Sequence, residues 1–435
     1  MIKRIIDVLN KSNYTQILLG LFIIASFLPF RHVLNYSSAS RFGWYAEPLA
    51  ISIYLADIIF LILVAINWNK RPIAITTKTV ILFASIVFLM AEAFRNPDFS
   101  LATYSLFRVI QFGILIYAFT RFAERLKIRV ALSLILAFIG IFQSLLGIYQ
   151  VSAGHSLGLR YLGEQTISVS SNGVAKIDLG NGERLMRAYG TMSHPNILGG
   201  FMILSICASI WLFLTFPVHR NKIFLIFLLL IIGLLLTFSR SAFLSLFFVF
   251  VMSAWHFRPH FSISLFLKFL LALSVALTLF VLISPINTAI WHRIIPTSAD
   301  MFISDRIILA SNGAKLFFEH PTIGVGLGNY FFDLVKIAPV GSGLQNWQYD
   351  YPHNAIAELL AELGICGVIM IFYIISILLP KHFFTLQSFI IFLIIISPLI
   401  LLDHYLWTNQ TGRIILIMFL ALLPSIFGSQ NNSRA

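Results

Sequence analysis

Charge is what this 435-residue chain has least of: 11% of its residues are Asp, Glu, Lys or Arg, against 59% hydrophobic, and its mean hydropathy is +0.90. That is too little polar surface to cover a water-soluble globule, so lipid must serve as solvent. Cysteine is almost absent. Cys207 and Cys366 both fall inside apolar runs, which indicates neither a disulfide framework nor a cysteine-based metal site. The polar segments between runs carry no D-x-D and no clustered His/Asp/Glu pattern, which points to metal-independent chemistry in which arginines neutralise charge. No cofactor is indicated. There is also no internal repeat to support an inverted-repeat transporter. No small-residue cleavage site follows the first apolar run, so that run reads as a retained helix rather than a signal peptide.

What is present is a series of apolar runs of spanning length. Those at about 14–34, 48–67, 76–94, 101–120, 129–151, 194–217, 222–238, 240–257, 265–285, 354–379, 384–402 and 410–428 read as twelve transmembrane helices. The expected fold is therefore an all-α polytopic membrane protein with the lipid bilayer as its main partner. The net charge of +13 does not mark a nucleic-acid binder, because the basic residues fall between spans instead of forming a stripe. With both termini on the cytoplasmic side, sixteen of the thirty Lys and Arg residues fall in cytoplasmic segments, as the positive-inside rule requires. Five regions follow: 1–151 with five spans, an external loop at 152–193, four spans in 194–285, a large external loop at 286–353 between spans nine and ten, and three spans in 354–435. The first loop, rich in Gly, Ser and Asn, reads as turns or short hairpins. The second predicts a surface helix from Ser304 to about Glu319, with Ile307, Ile308, Phe317 and Phe318 supplying apolar contacts. Arg108, Asp57 and Glu92, costly within or near spans, are expected to pair inside the bundle.

Three spans that start at the outer face open on polar residues: Arg187 through His194-Pro195-Asn196, Ser239-Arg240-Ser241, and Pro352-His353-Asn354. Helix N-termini present unpaired N–H groups and partial positive charge, so their convergence would form an anion-favouring pocket. Arg187, Arg240 and Arg306 could clamp a phosphate there through paired guanidinium hydrogen bonds. Each has a plainer role as well: Arg240 as a snorkelling anchor, Arg187 and Arg306 as solvated or structural loop residues. His353 at a helix start would be held neutral and able to accept a proton, although a loop histidine is more often structural. His194 and Asn196 read first as a helix start and then as substrate contacts, and Ser239, Ser241 and Asn354 belong to the same set of contacts. Glu358 and Glu362, four residues apart on one helical face, can orient a sugar, pair with an arginine, or serve only as packing polarity. Gly324-Val325-Gly326-Leu327-Gly328-Asn329 lacks the Lys of a nucleotide loop and reads as a tight turn.

In order, Arg187-x-x-Gly190-x-x-x-His194-Pro195-Asn196, Ser239-Arg240-Ser241, Arg306 ahead of His320-Pro321-x-x-Gly324-Val325-Gly326-Leu327-Gly328-Asn329, and His353-Asn354 with Glu362-x-Gly364-x-x-Gly367 resemble the O-antigen ligase and polymerase superfamily of bacterial envelope enzymes. The resemblance covers about 187–375 closely. It implies a multi-span, GT-C-like glycosyltransferase of the inner membrane with its active site facing outward. The implied donor is a polyprenyl-diphosphate-linked glycan, and the acceptor a hydroxyl of a glycolipid, glycan or protein. Under the same resemblance, Arg240 and Arg306 would hold the diphosphate and His353 would activate the acceptor. A ligase, a polymerase and a protein O-glycosylating enzyme share these motifs. A transporter or flippase of lipid-linked solutes is the alternative from another class.

Overall fold

The computed structural model describes residues 11–35, 49–67, 76–179, 182–257, 301–339, 349–380 and 385–427. The expected span 265–285 and the start of the second loop lie outside these. Each of the other eleven apolar runs holds a helix. In chain order these are α1 (Lys11–Phe27), α2 (Leu55–Asn67), α3 (Thr77–Ala93), α4 (Phe99–Phe122), α5 (Leu126–Ala153), α6 (Pro195–Thr215), α7 (Arg220–Leu236) and α8 (Arg240–Phe257). Beyond the second loop come α11 (Ala355–Leu378), α12 (Leu386–Leu401) and α14 (Gln410–Ile426). Two helices from that loop, α9 (Met301–Glu319) and α10 (Tyr330–Ile337), and the single turn α13 (Tyr405–Thr408) complete the set. Among the described residues, six helices are long and apolar enough to cross a membrane, and four shorter apolar ones accompany them.

The first two spans are shorter than their apolar runs suggest. Pro29 lacks the N–H that would continue α1, and the chain instead forms β1 (Arg31–Val33), paired antiparallel with β2 (Ser52–Tyr54) just ahead of α2. Asp57 accepts from the backbone N of Tyr54 at 2.9 Å, which anchors the start of α2. In the first loop the expected hairpin is β3 (Lys176–Asp178) with β4 (Arg184–Met186).

α6 is apolar on all sides and almost entirely buried, as such a helix must be when it occupies a bundle centre. It packs against α5, α7, α8 and α14. Its start is fixed by His194, whose Nδ1 accepts from Asn196 N at 3.1 Å, and by Pro195 in the first turn. Asn354 caps α11 and Asn409 caps α14 in the same manner. Arg108 meets Asp57 through two hydrogen bonds of 2.5 and 2.9 Å and also reaches Gln111 and the carbonyl of Ser52. Glu92 pairs with Arg95 at 2.6 Å. Arg108, Asp57 and Glu92 are thus paired within the protein, as expected.

The glycine run is a docking loop. Gly364 interrupts α11 with φ +60° and ψ −171°, a conformation essentially restricted to glycine. The carbonyls freed on one side of the break accept from Val325 N and Gly326 N, and Pro321 O and Thr322 O receive Ile365 N and Cys366 N on the other. At Gly324 a Cβ would stand 2.3 Å from the backbone of Glu362, so the spacing of the two glycine motifs reflects one interlocked contact. α9 packs along α11. Leu309 and Leu316 form its buried stripe, whereas Ile307 and Phe318, expected as packing residues, are exposed.

Candidate active site

The three helix starts converge, and what they converge on is a carboxylate. Asp403, in the short break between α12 and α13 and 2% exposed, accepts from Asn196 Nδ2 at 2.7 Å and from Ser241 Oγ at 2.6 Å. Its Oδ1 stands 3.6 Å from His353 Nδ1, and its backbone carbonyl receives Ala355 N. One residue therefore ties the starts of α6, α8 and α11 together. The positive helix ends favour an anion, as the sequence suggests, and the protein supplies one itself. Burial pushes the Asp403 carboxyl up, but the neighbouring His353 imidazole, the Ser241 hydroxyl and the charge of Arg306 hold it below its ordinary value. It is an anion placed to orient an imidazole and to stabilise it once protonated.

Above Asp403 lies a cavity of about 420 Å³, a size typical of small-ligand sites. His194, Asn196, His353 and Glu358 line it, together with Asp350, Tyr351, Glu362, His404, Trp407 and Arg413. Three histidines face it. Burial, followed by the charge of Arg187, pushes His194 down to about 3, so it is neutral and serves as a helix cap. Burial lowers His404 as well. Its ring stands edge-on to that of His353 at 5.4 Å. His353 is the histidine at the mouth of the Asp403 network, with 28% of its side chain exposed.

The remaining candidates surround this cavity. Ser239 is buried and bonds Ser241 Oγ at 3.1 Å, and Asn354 uses its side chain to cap α11. Arg306, on α9, is near enough for its charge to act on Asp403 and His404. Arg240 opens α8 directly after a turn in which Phe238 adopts φ +48°, an unusual conformation for a bulky residue. Arg187 is 5% exposed; its Nε donates to Thr237 O and its Nη2 to Asn196 Oδ1. It stands behind the cavity wall and fixes Asn196, which in turn fixes Asp403. Asp403 and Arg413 are absent from the sequence-derived candidates. The signal for Asp403 is an Asp-His pair at the start of the short gap, 403–409, that separates two apolar runs, where a charged residue has little water-exposed loop to occupy.

A bundle of apolar helices with a buried polar cavity at the ends of three of them defines a multi-span membrane protein with a built site among the described residues. Residues 225–372 match the family described as O-Antigen ligase, which bears out the resemblance to the O-antigen ligase and polymerase superfamily. The matched segment contains Ser239-Arg240-Ser241, Arg306, the glycine loop and His353; Asp403 lies beyond it. No curated protein matches the chain.

Proposed function

We propose that the protein is a membrane glycosyltransferase that moves a polyprenyl-diphosphate-linked glycan onto an acceptor hydroxyl from the outer face of the bacterial inner membrane. The observation that carries this is the position of His353, which lines the cavity 3.6 Å from a buried, hydrogen-bonded carboxylate. In the proposed reaction the acceptor O–H gives its proton to His353 Nε2 while its oxygen attacks the anomeric carbon. The bond from that carbon to the diphosphate breaks, and the diphosphate leaves with the electron pair. Arg240 and Arg306 spread its charge, a stabilisation realised chiefly as the bond breaks. Asp403, 3.6 Å from His353 Nδ1, orients the ring and offsets the charge of the imidazolium. Arg187 acts through Asn196 as a positioning residue. A diphosphate is already a good leaving group, so a base suffices and no general acid is required.

The acceptor separates the members of this class. A lengthening lipid-linked chain would identify a polymerase, and a product on a core glycolipid or a protein a ligase. The test is transfer by the purified full chain in proteoliposomes without any ion gradient, supplied with lipid-linked donor and several acceptors. Glycan transfer supports the proposal. Gradient-dependent movement of donor across the bilayer, with no transfer to any acceptor, would replace it with the flippase alternative.

A further inference from the structure

Below His353 the cavity continues along α11 toward α14, and this inner part has a chemistry of its own. Glu358 and Glu362 face it from α11, Arg413 from the first turn of α14, and Tyr405 from α13. Glu362 accepts from Gly328 N at 3.2 Å. Glu358 is 1% exposed, and its Oε2 has no hydrogen-bond partner among the described residues. The same holds for Arg413 Nη1, although its other two guanidinium nitrogens donate to the carbonyls of Trp407 and Thr408. A buried polar atom without a partner is costly. Two of them around one cavity, an acceptor and a donor, mark a surface shaped for a ligand that supplies hydrogen bonds in both directions.

Hydrogen-bonding character decides the class of that ligand. Glu358 and Glu362 face the space with Arg413; of the other arginines in the lining, Arg108 is already bonded to Asp57 and Arg31 belongs to β1. A second diphosphate, which offers acceptors alone, would leave Glu358 Oε2 without a donor. A neutral ring bearing several hydroxyls satisfies both sides: each hydroxyl can donate to a carboxylate and accept from Arg413. The aromatic faces of Tyr351 and Trp407, also in the lining, suit the C–H faces of such a ring. We infer that this inner cavity is a pyranose subsite, with Glu358 and Arg413 as its hydroxyl-recognising residues. The inference rests on the glycosyltransferase assignment above and adds to it the residues that hold sugar rather than phosphate. The ring can belong to the sugar next to the donor diphosphate or to the acceptor.

The experiment uses the full chain in nanodiscs, as wild type, Glu358→Ala and Glu358→Gln, with thermal unfolding as the folding control. Three probes are titrated: polyprenyl diphosphate without sugar, polyprenyl diphosphate carrying a single hexose, and a soluble hexoside acceptor. Glu358→Ala should bind the sugar-free diphosphate as wild type does, while affinity for one of the two sugar-bearing probes falls at least about tenfold, the loss expected when one good hydrogen bond to a charged group is removed. Which probe weakens names the source of the ring, and Glu358→Gln should lose less because its amide still accepts. A folded Glu358→Ala that binds all three probes normally overturns the subsite, as does an equal loss for the sugar-free diphosphate. Failure of the transferase assignment looks different: the hexosyl probe binds in a Glu358-dependent way and wild-type protein transfers nothing.

Discussion

The carboxylate of Asp403 stands 3.6 Å from Nδ1 of His353 and is held from its other sides by Asn196 and Ser241, so the starts of α6, α8 and α11 all bear on the orientation of one imidazole. A carboxylate so held orients the ring and stabilises its protonated form without itself accepting the proton. Replacing it with the isosteric amide keeps the packing and removes the charge. Asp403→Asn should therefore lower kcat for glycan transfer by about 10²–10⁴ with donor KM little changed. His353→Ala should lose a similar amount, and the double variant little more, because the two act as a unit. Steady-state transfer in nanodiscs measures this; additive losses would show that the two residues act separately.

The three arginines should divide into two kinds. Arg187 is buried and spends its donors on Thr237 and Asn196, so Arg187→Ala should lower the unfolding temperature, at about 1.5–3 kcal/mol for each bond lost. Arg306→Ala and Arg240→Ala should leave unfolding near the wild-type temperature and raise donor KM. The pattern inverts if Arg187 rather than Arg306 contacts the diphosphate. Unfolding scans in detergent paired with donor titrations separate the cases.

Apolar runs of spanning length located the helices in the eleven runs that the described residues cover, because the bilayer sets their length, and polar residues at helix starts were legible because few other residues there are polar. What periodicity could not show is which polar residue meets which. Asp403 lies 207 residues from Asn196, its partner at the α6 start, and a single carboxylate between two apolar runs carries no spacing pattern. The shortened first spans were hidden for a related reason. Residues on either side of Pro29 are apolar enough for a helix, and Pro29 together with the pairing of β1 with β2 takes them out of one. Arg187 illustrates the converse: its place ahead of a helix start suggests a phosphate ligand, and the structure shows its Nε and Nη2 bonded to Thr237 and Asn196.

The break in α11 depends on one residue. A Cβ at Gly364 would stand 2.4 Å from the backbone of Thr322, in a backbone conformation that side chains avoid. Gly364→Ala should cost about 1–3 kcal/mol from the backbone conformation alone, with the steric clash added to it. The expected outcome is a lower yield of folded protein together with weaker transfer, since Glu362 sits at the same junction. Normal unfolding and normal activity would show that the loop 320–329 can undock without consequence.

The Arg108–Asp57 pair joins α4 to α2 in the interior, with Gln111 and Gln410 around it. Removing one partner leaves a buried charge, so Asp57→Ala should destabilise by about 3–5 kcal/mol. A double replacement with apolar residues of similar size should recover much of that loss, because the cost of desolvating both charges disappears with them. If the double variant is as unstable as the single one, the pair has a role beyond holding the helices. Donor titration would then show whether the pair also shapes the cavity wall it lines.

The cap of α6 makes stability depend on pH in a defined window. His194 is pushed by burial from an ordinary value of 6.5 down to about 3, and its Nδ1 must stay unprotonated to accept from Asn196 N. Between those two values the unfolded chain binds a proton that the folded chain refuses, so stability is lost as pH falls from about 6.5 and rises with pH across the window. The loss approaches about 1.4 kcal/mol per pH unit well inside the window. His404, lowered by burial as well, adds loss of the same sign. Asp403 contributes in the same direction only at lower pH: its depressed value gives stability that is present above the ordinary carboxylate range and lost below it. Unfolding scans at pH 7, 6 and 5 should therefore show a falling midpoint for wild type and a shallower fall for His194→Asn, which keeps a capping side chain and removes the titrating group. Parallel slopes for the two proteins would show that His194 accepts a proton in the folded state.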